Sequence, residues 1–232
     1  MRIDILTLFP GMFENVLGES ILKIAREKNL LDVFLHDIRA YTDNKHGKVD
    51  DKPFGGGPGM VMRCQPVVDA VEAVSALDPE PGRLIFLTPE GRNFCQPVAV
   101  ELAREKRLIL VCGRYEGFDE RIFEILQPER LSVGNFILTG GEIPAMLVTD
   151  AVTRLLPGVL GSGESLDHES FNENLLDYPQ YTQPAEFRNL PVPEILRSGN
   201  HKLVDEWRAQ QSLIRTRDYR PDLLSPSGDE FP

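Results

Sequence analysis

The 232-residue sequence is poor in cysteine and contains no long apolar run. Its three cysteines, Cys64, Cys95 and Cys112, are odd in number, sit in apolar stretches and form no CxxC pair. That pattern argues against a disulfide framework and against structural zinc. No apolar stretch reaches the roughly 18 residues that a bilayer-spanning helix needs, so no membrane partner is expected. The opening MRIDILTLFPGMF has one Arg ahead of a short run broken by Asp4 and Pro10. It lacks a small-residue cleavage site, so a secretory leader is not expected and a reducing cytoplasm is the expected setting. The histidines at 36, 46, 168 and 201 show no ligand spacing, and no metal site is read from them. Also missing are the Gly-Lys-Ser/Thr ending of a P-loop, a GxGxxG register, a GxSxG elbow and a Cys-His nucleophile signature. Apolar residues at 41% and charged residues at 26% exclude a disordered, collagen-like or purely coiled-coil chain.

Basic charge is also scarce overall. The net charge of -11 and a pI near 4.9 speak against nucleic acid, because phosphate binding rests on Lys and Arg. Net charge does not describe one face, however. Between residues 197 and 220, six basic residues (Arg197, Lys202, Arg208, Arg215, Arg217, Arg220) stand against three acids (Asp205, Glu206, Asp218). A local basic segment therefore survives.

What is present reads as an α/β chain. Strands are expected at 3–8, 31–35, 84–87, 108–112 and 131–133, and helices at 13–28, 66–77, 97–105, 119–126 and 141–156. Strands alternating with helices imply βαβ units and a mostly parallel sheet buried on both faces. Residues 157–173 are rich in Gly, Ser and acids and read as a linker or loop. Beyond them prolines at 179, 184, 191 and 193 precede a helix over about 201–216, with Leu203, Val204, Trp207, Gln211 and Ile214 approximating one face. A region of about sixty residues is marginal for its own core and is expected to dock on the first domain or a second subunit.

Four segments invite chemistry. The densest glycine run is FGGGPGM at 54–60, either a flexible turn or a backbone that must approach a flat ligand closely. Leu87–Gly91, Gly113–Asp119 and Val133–Pro144 are expected to leave the carboxyl ends of parallel strands, where open α/β sheets bind ligands. Together they could hold an adenosine-like ligand. Taken singly, Arg114 and Glu116 read as solvated loop charges, Arg154 as an ordinary helical partner of Asp150, and Asp167, Glu169 and Asp177 as a solvated acidic loop.

These same segments, with LTLFPGMF, DDKPFGGGPGMVM, GRYEGFDER, VGNFILTGGEIPA, LLDYPQYTQP, LRSGNH, QSLIRT and RPDLL in order, resemble the bacterial tRNA (guanine-N1)-methyltransferase family. That family is a SPOUT-class, S-adenosylmethionine-dependent group, and the resemblance runs from residue 1 to about 224. It implies a parallel-sheet methyltransferase domain with a deep trefoil knot over 1–160, a flexible linker over 161–173 and a small helical tRNA-binding domain over 174–232. It also implies a homodimer with active sites shared between subunits, a cytoplasmic location, and methyl transfer to guanine N1 of tRNA position 37, 3′ of the anticodon, with possible help from magnesium. A SPOUT enzyme with another target nucleotide and a non-enzymatic RNA-binding protein are the alternatives.

By the same resemblance the cofactor is held by Leu87, Thr88, Pro89 and Gly91, by Gly113, Tyr115, Glu116 and Gly117, and by Val133, Gly134, Asn135, Phe136, Ile137, Leu138, Gly140, Gly141 and Pro144. Pro58, Gly59, Ser170 and Arg215 would meet the RNA. Arg154 and Glu169 would be catalytic. Glu169-Ser170-Phe171 departs from the family's Asp-Ser-Phe/His, Gln183 stands where Arg is usual, and Asn135 and Phe136 replace the commoner Asp and Tyr. Chemically, N1 methylation of guanine requires that the N1 proton leave. A nearby carboxylate can accept it, and a guanidinium can stabilise the charge that moves to the neighbouring carbonyl oxygen.

Overall fold

The computed structural model describes residues 1–160, 169–171 and 174–224. The chain divides into two compact units, Met1–Gly161 and Ser162–Pro232.

The first unit is α/β, with a five-stranded sheet at its centre. Its strands are β1 (Arg2–Thr7), β2 (Asp32–Asp37), β5 (Arg83–Asn93), β6 (Arg107–Cys112) and β7 (Glu129–Ser132), in the order β2-β1-β6-β5-β7. Every pairing is parallel. Side-chain alternation sorts the strands into two cores. Ile3, Ile5, Ile85, Leu87, Leu108 and Leu110 face one way, onto α1 (Glu14–Leu17), α2 (Ser20–Glu27), α4 (Gln96–Leu102) and α6 (Glu142–Thr153). Leu6, Phe86, Ile109 and Val111 face the other way, onto α3 (Cys64–Ser75) and α5 (Arg121–Leu126). Burial on both faces is why these strands read as unbroken apolar runs. A two-stranded ribbon, β3 (Asp50–Asp51) with β4 (Val61–Met62), carries the glycine run between its strands.

Three expectations about elements change. The helix expected over 13–28 is two helices, because Gly18 ends α1 and Ser20 takes a left-handed backbone with φ of 51°. Residues 87–91 are not a loop beyond a strand. They are a bulge within β5, where Leu131 pairs first with Leu87 and again with Arg92, an insertion that bends a strand and re-aims its side chains. In the second unit α7 (His201–Tyr219) extends past residue 216, capped at its start by Asn200, whose side chain accepts from Leu203 N. Its inward face is half-buried at Val204, Trp207, Gln211 and Ile214 and fully buried at Thr216, while Leu203 stays 43% exposed. The rest of that unit is a short ribbon, β8 (Glu186–Phe187) with β9 (Leu190–Pro191), and 3-10 turns at Glu194–Arg197 and Pro221–Leu224.

Candidate functional site

At the bulge of β5 and the carboxyl ends of β6 and β7, the first unit opens into a cleft of about 430 Å³, a size suited to a small-molecule cofactor. Leu87, Thr88, Pro89, Gly113, Tyr115, Glu116, Gly117, Val133, Gly134, Phe136, Ile137, Leu138, Gly140, Gly141 and Pro144 all line it. Three segments far apart in sequence thus converge on one hollow, as expected at the carboxyl edge of a parallel sheet. Two residues assigned to the cofactor lie elsewhere. Gly91 packs on the backbone of Arg130 and Leu131, so its lack of a side chain serves the close approach of β7 to the β5 bulge. Asn135 is exposed at the tip of its loop and does not line the hollow.

The walls combine backbone and apolar side chains with Arg114 and the exposed carboxylates Glu90, Glu116 and Glu120, and one buried polar atom is left over. Thr88 Oγ1 is buried in the wall and has no hydrogen-bond partner among the described residues. A buried polar atom without a partner is costly, and a ligand hydroxyl or ring nitrogen would satisfy it. Gly141 donates its N–H to Gly113 O at 2.8 Å. A Cβ at Gly141 would come 2.7 Å from Cys112 Cα, so close backbone approach requires glycine there. Burial pushes the Cys112 thiol well above its ordinary pKa, with nearby Glu142 adding to the effect. It is a packing residue and no nucleophile.

Beneath the cleft lies a polar network that sequence reading missed. Glu142, in the first turn of α6, is fully buried. It accepts from Arg114 Nε at 2.8 Å and from Thr7 Oγ1 at 2.8 Å. Arg114 also donates to Thr139 O at 3.1 Å, and its guanidinium lies 4.5 Å from the Phe9 ring centroid. Arg114 is therefore a brace between the cleft loops and β1, not a solvated loop charge. A GRYEG segment carrying one Arg could have flagged it, but its partner, 28 residues away, has no local signal.

The glycine run is tied to this site. Glu116 N donates to Met60 O and Met62 N to Gly117 O, both at 2.9 Å, and Asp119 N donates to Met62 O at 3.0 Å. The return strand of the ribbon is thereby stitched to the Gly113–Asp119 loop. Gly55, Gly56, Gly57 and Gly59 all have φ between 80° and 121°, backbone that side-chain-bearing residues avoid. Gly59 abuts the Glu116 side chain, and Pro58 beside it is exposed. Phe54 is fully exposed at the start of the run. Hydrogen bonds of Arg121 and the Cys64 thiol to Asp119 hold that carboxyl below the usual carboxylate range, outweighing its burial.

Arg154 caps the C-terminus of α6 and is half-buried, and Asp150, one turn earlier, is exposed. In the second unit Phe171 N donates to Leu175 O at 2.6 Å, and Ser170 Oγ accepts from Asp177 N at 2.9 Å. These bonds tie down Ser170 and Phe171, the residues that follow Glu169. The Asp177 carboxylate is engaged locally by Tyr178 N and Gln180 Nε2. Asp167 lies outside the described residues. Arg215 on α7 is half-buried, and its Nε has no hydrogen-bond partner among the described residues. A groove of about 420 Å³ in the same unit is lined by Tyr178, Gln180, Tyr181, Gln183, Arg197 and Arg208 among others. The Arg208 guanidinium sits 4.9 Å from the Tyr178 ring centroid. No helix among the described residues is long and apolar enough to cross a membrane.

Comparison with known proteins matches residues 1–226 to the family model described as tRNA (Guanine-1)-methyltransferase TrmD. Among curated relatives, a protein of Geobacillus kaustophilus is 56% identical over all of this chain and 93% of its own length. One of Dehalococcoides mccartyi is 52% identical over 97% of this chain and 90% of its own. One of Staphylococcus epidermidis is 51% identical over 97% and 91%. Each is named tRNA (guanine-N(1)-)-methyltransferase.

Proposed function

The chain belongs to the tRNA (guanine-N1)-methyltransferase family, and from that membership we propose how its own residues perform the reaction. It is a methyltransferase whose substrate is tRNA and whose target is guanine N1. The proposed donor is S-adenosylmethionine and the proposed target is position 37. One observation carries the reading: Leu87–Pro89, Gly113–Gly117 and Val133–Pro144 converge on a single cleft. Its backbone donors and acceptors, its apolar side chains and the orphaned Thr88 Oγ1 fit a nucleoside.

When bound, the cofactor supplies an already activated methyl group, so the protein has mainly to align donor and acceptor. The cleft segments hold the nucleoside, and the Arg114–Glu142–Thr7 brace keeps them in place. Glu169 accepts the N1 proton of guanine through its carboxylate. Arg154 stabilises the negative charge that develops on the adjacent carbonyl oxygen. Pro58 and Gly59, stitched to the cleft loop, approach the target nucleotide with Ser170. The basic 197–220 segment, Arg215 included, meets the RNA backbone. Magnesium is a further expectation of the resemblance. Among the described residues no three His, Cys, Asp or Glu side chains gather to hold an ion by themselves, and no step here runs through one.

The trefoil knot, the tRNA-binding role of the second unit and a homodimer with shared active sites belong to the same proposal; of the expected linker over 161–173, residues 161–168, 172 and 173 lie outside the described residues. The close packing of the α6 N-terminus at Gly141 on the Cys112–Gly113 backbone supports the knot. Ile143 and Leu147, one turn apart on α6 and 51% and 43% exposed, support a subunit interface. The test is incubation of unmodified tRNA with enzyme and S-adenosylmethionine, followed by mass spectrometry of the nucleosides and mapping of the site. 1-Methylguanosine at position 37 is expected. A ribose methyl or another methylated base would assign a different target, and no product would favour a binding protein.

A further inference from the structure

The mechanism above gives Arg130 no task, yet its surroundings are specific. Arg130 lies on β7, and its Nη1 donates to Glu90 Oε1 at 3.3 Å while its Nη2 donates to Glu120 Oε1 at 2.8 Å. Its guanidinium rests 3.8 Å from the ring centroid of Phe123. Glu90, Glu120 and Phe123 all line the cleft, and Arg130 stands behind them. Glu90 belongs to the bulge of β5, which the sheet ladder does not hold. Glu120 ends the loop that leaves β6. Beyond the Leu87–Cys112 pairing, no backbone hydrogen bond joins these two segments among the described residues. One guanidinium joins them.

We propose that Arg130 is a positioning residue that clamps Glu90 to Glu120 across one rim and so holds the cofactor cleft in its binding shape. An exposed ion pair ordinarily contributes little, because two mobile side chains must be ordered. Here the cation is seated on an aromatic face. Phe123 is itself packed edge-on against Phe86 and Phe118, at 5.4 and 5.9 Å between centroids. The guanidinium therefore starts from a restricted position, and both carboxylates dock on a fixed point. Removing it leaves two carboxylates facing each other across the rim, where their repulsion favours an open cleft. The clamp rests on the cofactor reading of the cleft, and it acts on how long the cofactor stays, more than on the chemical step.

The experiment measures binding and dissociation of S-adenosylhomocysteine on the full chain, with KM for S-adenosylmethionine and kcat beside it. Arg130→Met is expected to weaken binding about fivefold, through faster dissociation, with KM rising more than kcat falls and the melting temperature nearly unchanged. In a Glu90→Gln/Glu120→Gln background, Arg130→Met should add little, since its partners are already gone. Lys106→Met, which breaks a remote surface pair with Glu80, should dissociate the ligand at the wild-type rate. A wild-type dissociation rate for Arg130→Met overturns the clamp, and so does an undiminished effect in the double-Gln background. Should Arg130→Met fail to fold, Glu120→Gln, at an exposed carboxylate, must by itself speed dissociation or the clamp is wrong. Absence of binding by the wild-type protein would instead overturn the cofactor reading of the cleft.

Discussion

Loss of the guanine N1 proton is the demand that a single side chain must meet, and the proposal assigns it to Glu169. A Gln there keeps shape and hydrogen bonding but cannot accept a proton. Glu169→Gln should therefore lower turnover by roughly 100-fold or more while the affinity for S-adenosylhomocysteine stays at the wild-type value, read by single-turnover kinetics and calorimetry. Glu169→Asp should remain active, since it restores the residue that the family resemblance implies. Asp177→Asn should cost far less, because that carboxylate is spent on Tyr178 N and Gln180. Arg154→Ala should also be nearly inactive, whereas a residue serving only a helical pair with Asp150 would cost a few tenths of a kcal/mol of helix stability. A normally active Glu169→Gln would move the base to another carboxylate. The buried Glu142 gives a contrast at the same scale. Substituting it should lower stability first, since it would strand Arg114 and Thr7.

Between elements, the opposite end of the sheet is tied by charge. Arg107 on β6 is buried, and its guanidinium donates to Asp4 Oδ2 at 2.9 Å and to the carbonyls of Val74, Ser75, Asp78 and Glu80. It thus closes the C-terminus of α3 onto β1 and β6, a placement that also suits the helix dipole. Asp4 accepts as well from Arg2 and is paired with His36. Burial alone would raise the Asp4 pKa, but its hydrogen bonds to His36, Arg2 and Arg107 outweigh that and lower it well below the ordinary value. A carboxylate with a depressed folded-state pKa contributes stability that is complete above its unfolded pKa, near 4. That contribution fades as pH falls through the folded value. Asp4→Asn should therefore lose about 3–5 kcal/mol at neutral pH, the usual cost of breaking a buried pair. Urea melts should show the gap to wild type closing as pH drops below about 4. A gap independent of pH would mean that Asp4 matters only for packing. None of this was legible in the sequence, where Asp4 interrupts an apolar run and its partners lie as far away as Arg107. What was legible followed from local pattern: the parallel strands from their apolar runs, α3 from its valine spacing, and the cleft segments from glycines after strands. The break at Gly18 and the bulge at 88–91 escaped because a positive φ at Ser20 and a repeated pairing of Leu131 are settled by tertiary contacts.

For the whole molecule, the proposal of shared active sites turns on whether one chain makes one site. The first unit carries the cleft and Arg154, and the second carries Glu169 with the basic segment. If active sites are shared in a homodimer, two defects placed on different chains leave one intact site. A Gly113→Val chain is the cofactor defect, because a side chain at Gly113 is driven 2.8 Å from the Phe118 ring beside the cleft. A Glu169→Gln chain is the base defect. Each alone should be nearly inactive. Mixed dimers, verified by native mass spectrometry, have one site assembled from the two sound halves and should regain about half of the activity of a wild-type dimer. The same mixture made at concentrations that keep the chains monomeric should stay inactive, and activity of the wild type itself should fall on dilution through the dimer dissociation constant. Verified heterodimers without activity would show instead that each chain completes its own site, and Ile143 and Leu147 on α6 would then need another partner to cover them.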